Sequence, residues 1–589
     1  MNTWHGHLKK LNIGLYEFGM VTLAIMACLL RIAFIALHYP TTNSDEGVMG
    51  LMARHIAYHG QWPIFFYGQG YMGSIEAYIG ALLFHIMGSS SLFTLRLGLI
   101  FIFALFLLTM YFLTRQLYNR SLALFTTLLL SLGSFDITSH QLKAFGGGPE
   151  MLFLIGIIFL IANKLVFTAP VQNSEITRKE RWQRWMLYAI LGLAVGVGIW
   201  SDLLIIPFIA PVGLLLLIFC RHEVFSKAGL WAVLGILIGI APVIYYNLTL
   251  SNTDQSTLGA MIEIQSSTAT QMAQQHLTKS TQLSGTLFIS IPTITGFNPL
   301  CSKISFPEFE NHNSASLHCV VEHGGWTLGY SLLWISAILI SAFIIWRIWN
   351  SLRQSRYQQK SNRHLPYTEQ FLLKLHSARL CLLISAALTI FVYINNPASA
   401  IEPTANARYL LNLLIVTPAL LWPLWNGFNE IHIPVTIQRT KKPLFILRVI
   451  LLCFILFVYA NGTIGMVKDI SFSQKAYQKQ HELIHNLLQI GATHVYTEYW
   501  TCYRIAFESN EKIDCVSLTS SLHIASHREN RYPPYTTNLK KASDFVYVFP
   551  ISSPQAQTMA QKLKLINKKY YTKYTFDDYF VYRLNFRLN

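Results

Sequence analysis

Long apolar blocks alternate with short polar stretches along most of this chain, and blocks of about 20 apolar residues are the unit expected of membrane-crossing helices. Eleven such spans are predicted, near 17–38, 92–114, 121–137, 150–168, 185–200, 203–220, 228–250, 326–346, 379–395, 409–426 and 443–466. The pattern changes in two places. Between the first two spans, the run Gly47–Tyr58 has apolar residues at Val48, Leu51, Met52 and Ile56, with Arg54, His55 and His59 elsewhere around the wheel. That spacing suits a short helix lying in the headgroup region rather than crossing it. Beyond 466, a helical run (Gln478–Leu488) alternates with strand-like runs such as His494–Tyr499, Phe545–Phe549 and Tyr579–Leu584. Residues 1–466 are therefore predicted to form a polytopic α-helical membrane domain and residues 467–589 a small α/β domain.

Composition supports the membrane class. The chain is 52% hydrophobic and 12% charged, with a mean hydropathy of +0.38; a soluble chain carries roughly twice that charged fraction. The net charge of +17 does not indicate nucleic acid, because most basic residues sit in short loops, where they orient spans against anionic lipid. Tyr71–Gly88 is nearly long enough to be a further span, and loop charge decides against it. Treating it as interfacial or re-entrant puts Lys9, Lys10, Arg115, Arg120, the Arg178–Arg184 cluster, Arg221, Lys227, the Arg347–Arg379 stretch, Arg439, Lys441 and Lys442 on one side. Little beyond Arg54, Lys143 and Arg408 remains in the opposite short loops. The expected topology is N-terminus in, C-terminus out, with outer segments 39–91, 138–149, Ser201–Asp202, 251–325, 396–408 and everything after 466. Lys9 and Lys10 precede an apolar run with no small-residue cleavage site, so the first span is read as uncleaved.

Cys28, Cys220, Cys381 and Cys453 lie within or at the ends of apolar spans and read as inert small hydrophobes. Cys301 with Cys319, and Cys502 with Cys515, share outer segments, where two disulfides can form. There is no paired Cys-x-x-Cys metal pattern.

Four outer features converge at one membrane face: the adjacent acids Asp45 and Glu46, the KAFGGGPE turn from Lys143 to Glu150, Asp202 at the tip of a tight helical hairpin, and Arg408 with Tyr409 in the run NARYLLN. Each also has a plain structural explanation. Glu150 suits the N-terminal dipole of its helix, Asp202 a helix cap, and Arg408 a side chain snorkelling to headgroups. As a site residue, Arg408 would meet an anion such as phosphate, since an arginine at that depth needs a partner. Gln69, Tyr71 and Glu76 are candidates for a substrate cleft, and RYPPY at Arg531–Tyr535 reads as a rigid turn.

The acidic pair after the first span, the interfacial helix and the downstream R-Y-L-L at the head of a late span resemble the GT-C superfamily of integral-membrane glycosyltransferases. The closer likeness is to the bacterial branch related to protein O-mannosyltransferases and lipid A aminoarabinose transferases. The string SDEGVMGLMARH…FFYGQGYMGSIEAY is similar to a bacterial subgroup of such enzymes. The resemblance implies an enzyme of the bacterial inner membrane that takes a sugar, hexose or pentose, from a polyprenyl-phosphate donor on the extracytoplasmic (periplasmic) face. It also implies that the aspartate matching Asp45 is the base. No Glu-Lys-Pro motif stands near Tyr71, and GGGPE replaces the acidic sequence expected of the second outer loop, which leaves the acceptor (lipid, glycan or protein) and any metal open. The residues suit this chemistry independently. A donor with an anomeric phosphate already has its leaving group, Asp45 is placed to take the acceptor's proton, and Arg408, helped by Lys143, to hold the departing phosphate. Attack opposite the phosphate inverts the anomeric centre, and Glu46 and Glu150 would orient hydroxyls or hold a divalent cation. The polyprenyl tail would lie in a groove between spans, and residues 467–589, on the same side, would dock the acceptor. The alternatives are a transporter or flippase of lipid-linked sugars, and a glycan ligase or polymerase.

Overall fold

A computed structural model describes residues 14–170, 177–250, 256–297, 314–357, 367–425, 441–564 and 566–586. Among them, nine helices are long and apolar enough to cross a membrane: Leu15–Ala36, Leu92–Leu117, Pro149–Phe167, Arg178–Ser201, Lys227–Thr249, His318–Ser351, Thr368–Ile394, Pro403–Trp425 and Pro443–Gln489. These correspond to nine of the eleven expected spans. The span expected at 121–137 is instead two helices, Arg120–Ser131 and Asp136–Leu142, bent by 82° across the Gly133–Ser134 break. The span expected at 203–220 is the shorter apolar helix Leu203–Phe219.

The first outer segment departs from the expected picture. Ser44–His59 is a single helix with Asn43 as N-cap, its Oδ1 accepting from Glu46 N at 3.0 Å, so the two acids sit in the first turn and not on a loop before it. The helix is enclosed by protein, with Ser44 and every residue from Glu46 to His55 buried. The reason lies in Gly47 and Gly50, one turn apart. A Cβ at Gly47 would stand 2.5 Å from the Tyr503 carbonyl oxygen and one at Gly50 2.6 Å from the Phe507 ring, so the helix Tyr499–Glu508 packs into a notch that only glycine leaves open. Ile75–Met87 covers the other side; at 13 residues it is too short to span.

The C-terminal segment forms a five-stranded sheet of β1 (His494–Thr497), β2 (Asp514–Ser517), β3 (Val546–Pro550), β4 (Tyr571–Phe576) and β5 (Tyr579–Leu584), in the order β2-β1-β3-β5-β4. β1 runs parallel to β2 and β3, while β5 is antiparallel to β3 and β4. Of the two disulfides the sequence leaves open, one joins Cys502 to Cys515 and ties the helix Tyr499–Glu508 to β2. The expected partner of Cys319, Cys301, lies outside the described residues.

The division at 466 falls inside one continuous 49-residue helix, Lys441–Gln489, about 70 Å long at 1.5 Å per residue. Nor is it an energetic boundary. Val48, Met49, Leu51 and Met52 share one buried core with Cys502, Tyr503, Phe507, Tyr547 and Phe549. At about 1.5–3 kcal/mol for each large apolar side chain, that core fixes the C-terminal domain onto the segment between the first two spans.

Candidate active site

Against this framework a cleft opens at the N-terminus of Ser44–His59. Asp45, Gln69, Tyr71, Asp202, Arg408 and Tyr409, expected from the sequence, all line it, together with His140, Phe145 and Gly146–Gly148.

Asp45 and Glu46 have separate fates, because successive residues on a helix point about 100° apart. Asp45 faces the cleft. Glu46 turns to the other side, is 0% exposed, and accepts from Arg96 Nε at 2.8 Å and Nη2 at 2.7 Å, with Ala144 N at 3.3 Å. Lys143 does not line the cleft; its charge interacts with Glu46 and Arg96, and burial pulls its ammonium down to about 8.

Glu76 and Glu150 are also buried and lie beneath the glycine turn. Gly146 N donates to Glu76 Oε2 at 2.9 Å, and Gly147 N to Glu150 Oε1 at 3.1 Å, which also accepts from Ser201 Oγ at 3.0 Å. Burial, reinforced by the neighbouring Glu150, raises the Glu76 carboxyl well above the usual range. The turn presses on Asp202: Gly147 has φ +78° and a Cβ there would lie 2.6 Å from Asp202 Oδ2. Asp202 Oδ1 accepts from Leu204 N at 2.9 Å, the cap expected of it, and burial raises its carboxyl to about 7. It therefore reaches the cleft able to donate as well as accept.

Arg408 and Tyr409 begin a 3-10 helix, Ala407–Val416. The Arg408 guanidinium stands 5.7 Å from the Phe145 ring centroid and 3.5 Å from the Tyr409 hydroxyl. Its Nε is buried without a hydrogen-bond partner among the described residues, as is Gln69 Oε1. A buried donor and a buried acceptor left open in one cleft are what a polar ligand fills. A divalent cation held by Glu46 and Glu150 together does not fit, since Glu46 has both oxygens on Arg96 and Glu150 keeps only Oε2 open beneath the turn. Among the described residues, the group close enough to hold a metal is His55, His59 and Glu511, at the far end of the same helix.

Three side chains at the site were missed. Arg96 carried a signal, an arginine inside an apolar run that must find an anion. Tyr499 and Arg531 carried none. Tyr499 donates its hydroxyl proton to Asp45 Oδ1, and Arg531 Nη2 reaches the same oxygen at 3.2 Å. RYPPY is thus a turn that delivers an arginine 486 residues along the chain from its partner.

No protein-family model and no curated protein sequence matches the chain. Solved structures do match by shape. ArnT from Cupriavidus metallidurans, bound to undecaprenyl phosphate, superposes with a TM-score of 0.51 at 13% identity over 96% of this chain and 97% of that one. The Archaeoglobus fulgidus oligosaccharyltransferase tethered to an acceptor peptide gives 0.49 at 14% identity over 97% and 74%. The likeness to ArnT runs through both the spans and the C-terminal domain, so this chain shares the overall fold of that structure.

Proposed function

We propose that the chain is a glycosyltransferase that moves a sugar from a polyprenyl-phosphate donor to an acceptor hydroxyl on the extracytoplasmic face of a bacterial inner membrane. The observation that carries this reading is Arg408: a guanidinium in the same cleft as Asp45, with a buried, unpartnered Nε and no ion-pair partner among the described residues. A half-buried arginine with no ion-pair partner at a cleft favours an anionic ligand, and an anomeric phosphate supplies the anion. ArnT, bound to undecaprenyl phosphate, supports the same donor class.

In this reading Asp45 takes the proton of the acceptor hydroxyl. The hydroxyl oxygen bonds to the anomeric carbon on the face opposite the phosphate. The bond from that carbon to the phosphate oxygen breaks, and its electron pair leaves with polyprenyl phosphate, whose charge Arg408 meets beside Tyr409. The anomeric centre inverts. Gln69, Tyr71 and Asp202 bind sugar or acceptor hydroxyls, while Glu46, Glu76 and Glu150 hold the frame.

Donor titration tests the phosphate assignment. Arg408→Gln removes a charge-assisted contact of about 1.5–3 kcal/mol, so the donor KM is expected to rise by roughly 10- to 150-fold, with the acceptor KM little changed. An unchanged donor KM would remove Arg408 from the phosphate site.

A further inference from the structure

The C-terminal segment does more than pack on the first outer helix. Tyr499 and Arg531 form a closed ring of hydrogen bonds with Asp45. Arg531 Nε donates to the Tyr499 hydroxyl at 2.6 Å, Tyr499 passes its single proton to Asp45 Oδ1, and Arg531 Nη2 closes the ring on that oxygen at 3.2 Å. With its one proton committed and one lone pair receiving Nε–H, the hydroxyl is fixed in direction. Asp45 Oδ2 has no hydrogen-bond partner among the described residues, and Asp45 lines the cleft.

The ring is itself anchored. Arg531 is 9% exposed, and its guanidinium lies 4.9 Å from the Phe66 ring centroid and 5.1 Å from that of Tyr499. Its Nη1 reaches the Tyr67 carbonyl at 3.4 Å, and its backbone N–H donates to the Tyr503 hydroxyl at 2.6 Å. The seat is made in the first outer segment by Gly68, at φ +71°, where a Cβ would stand 2.7 Å from the His527 carbonyl oxygen. At the other end, Ser44 Oγ donates to the Tyr499 carbonyl and accepts from Tyr503 N at 3.2 Å, so the helix start and the ring move together.

We infer that Tyr499 and Arg531 are positioning residues of the proposed base: they occupy Asp45 Oδ1 and hold Oδ2 as the one oxygen that takes the acceptor's proton. This rests on the glycosyl-transfer reading and deepens it, because residues 467–589 then complete the catalytic centre and are not only a docking platform. Around Asp45, Arg408 faces it from the late span, Tyr71 faces both arginines, Asp202, His140 and Tyr409 line the same cleft, and the adjacent Glu46 is paired with Arg96.

The test is the steady-state kinetics of transfer with the full-length protein in membranes, using a polyprenyl-phosphate sugar that the wild type accepts. Arg531→Gln is expected to lower kcat at least about tenfold while leaving the donor KM within about twofold, and Arg531→Lys, which keeps the charge, to recover part of that loss. Tyr499→Phe, which keeps the ring and its packing, is expected to lower kcat at least about tenfold while leaving the donor KM within about twofold. A raised donor KM with kcat unchanged in Arg531→Gln, or no recovery in Arg531→Lys, overturns the inference; so does full activity in Tyr499→Phe. Absence of transfer by the wild type from every donor would instead overturn the glycosyl-transfer reading itself.

Discussion

The pair Glu46–Arg96 gives the sharpest energetic prediction, because it separates two roles that adjacent acids are easily assigned together. Both side chains are essentially dry, 0% and 1% exposed, and two parallel contacts of 2.8 and 2.7 Å join them. Glu46→Gln leaves the guanidinium of Arg96 buried without its counter-charge, and removing one partner of a buried pair costs about 3–5 kcal/mol. Replacing both with apolar residues of similar volume is often neutral or stabilising. The expectation is therefore that Glu46→Gln and Arg96→Met each lower the apparent Tm in detergent by at least about 6 °C, taking about 2 °C per kcal/mol for a large chain. The double variant Glu46→Met/Arg96→Met should recover part of that loss, a coupling of a few kcal/mol, the remainder being Ala144 N and the Lys143 charge left without Glu46. Thermal-shift gel filtration reads the stability, and sugar transfer in the same membranes reads the function. If Glu46 only holds the helix start, transfer returns with stability in the double variant. Recovered stability with transfer still absent would refute this and give the Glu46 carboxylate a chemical part.

Two further outcomes follow from the site and its anchoring. Gly147→Ala forces a Cβ to 2.6 Å from Asp202 Oδ2 at φ +78°; strain of about 1–3 kcal/mol at that position is expected to lower kcat/KM by roughly 5- to 150-fold, and unaltered kinetics would remove the glycine turn from the site. Burial pushes the Glu511 carboxyl up, but hydrogen bonds and charge from His55, the Tyr535 hydroxyl and Arg54 outweigh it and leave it below its usual value. A depressed carboxyl contributes stability above about pH 4.3, its unfolded value, and loses it as pH falls through the folded value. Limited proteolysis should show the docking of the outer domain weakening at acid pH in the wild type, and a smaller acid-dependent change in Glu511→Gln, which starts weaker.

The spans were legible in the sequence because a membrane enforces apolar blocks of nearly fixed length, and the bend at Gly133–Ser134 escaped because the apolar block runs up to it and the short polar helix beyond, Asp136–Leu142, reads as loop. Asp45, Gln69, Tyr71, Asp202, Arg408 and Tyr409 were legible because polar residues at the outer ends of apolar blocks are few. The split between Asp45 and Glu46 needed only the helix start, since one turn cannot aim adjacent side chains the same way. Burial of the Ser44–His59 helix needed its partner, and nothing in Gly47 and Gly50 alone says which helix fills the notch. Lys143 misled for a related reason: a lysine beside a glycine turn is near the cleft in sequence, but buried Glu46 attracts it to the other side. Arg531 was illegible in principle, because its meaning lies in a contact 486 residues away that the outer sheet and the Cys502–Cys515 disulfide bring about.

The measurement that tests the central claim most directly is transfer of radiolabelled sugar from polyprenyl-phosphate donors in membranes carrying the wild type or Asp45→Asn. The variant keeps the shape and an acceptor oxygen for Tyr499 and Arg531 but loses the base. Wild-type transfer, falling about 10²- to 10⁴-fold in the variant while the protein still inserts, is the predicted result. Equal transfer by both would contradict Asp45 as base, and no transfer from any donor would contradict the glycosyltransferase and favour a carrier of lipid-linked sugars.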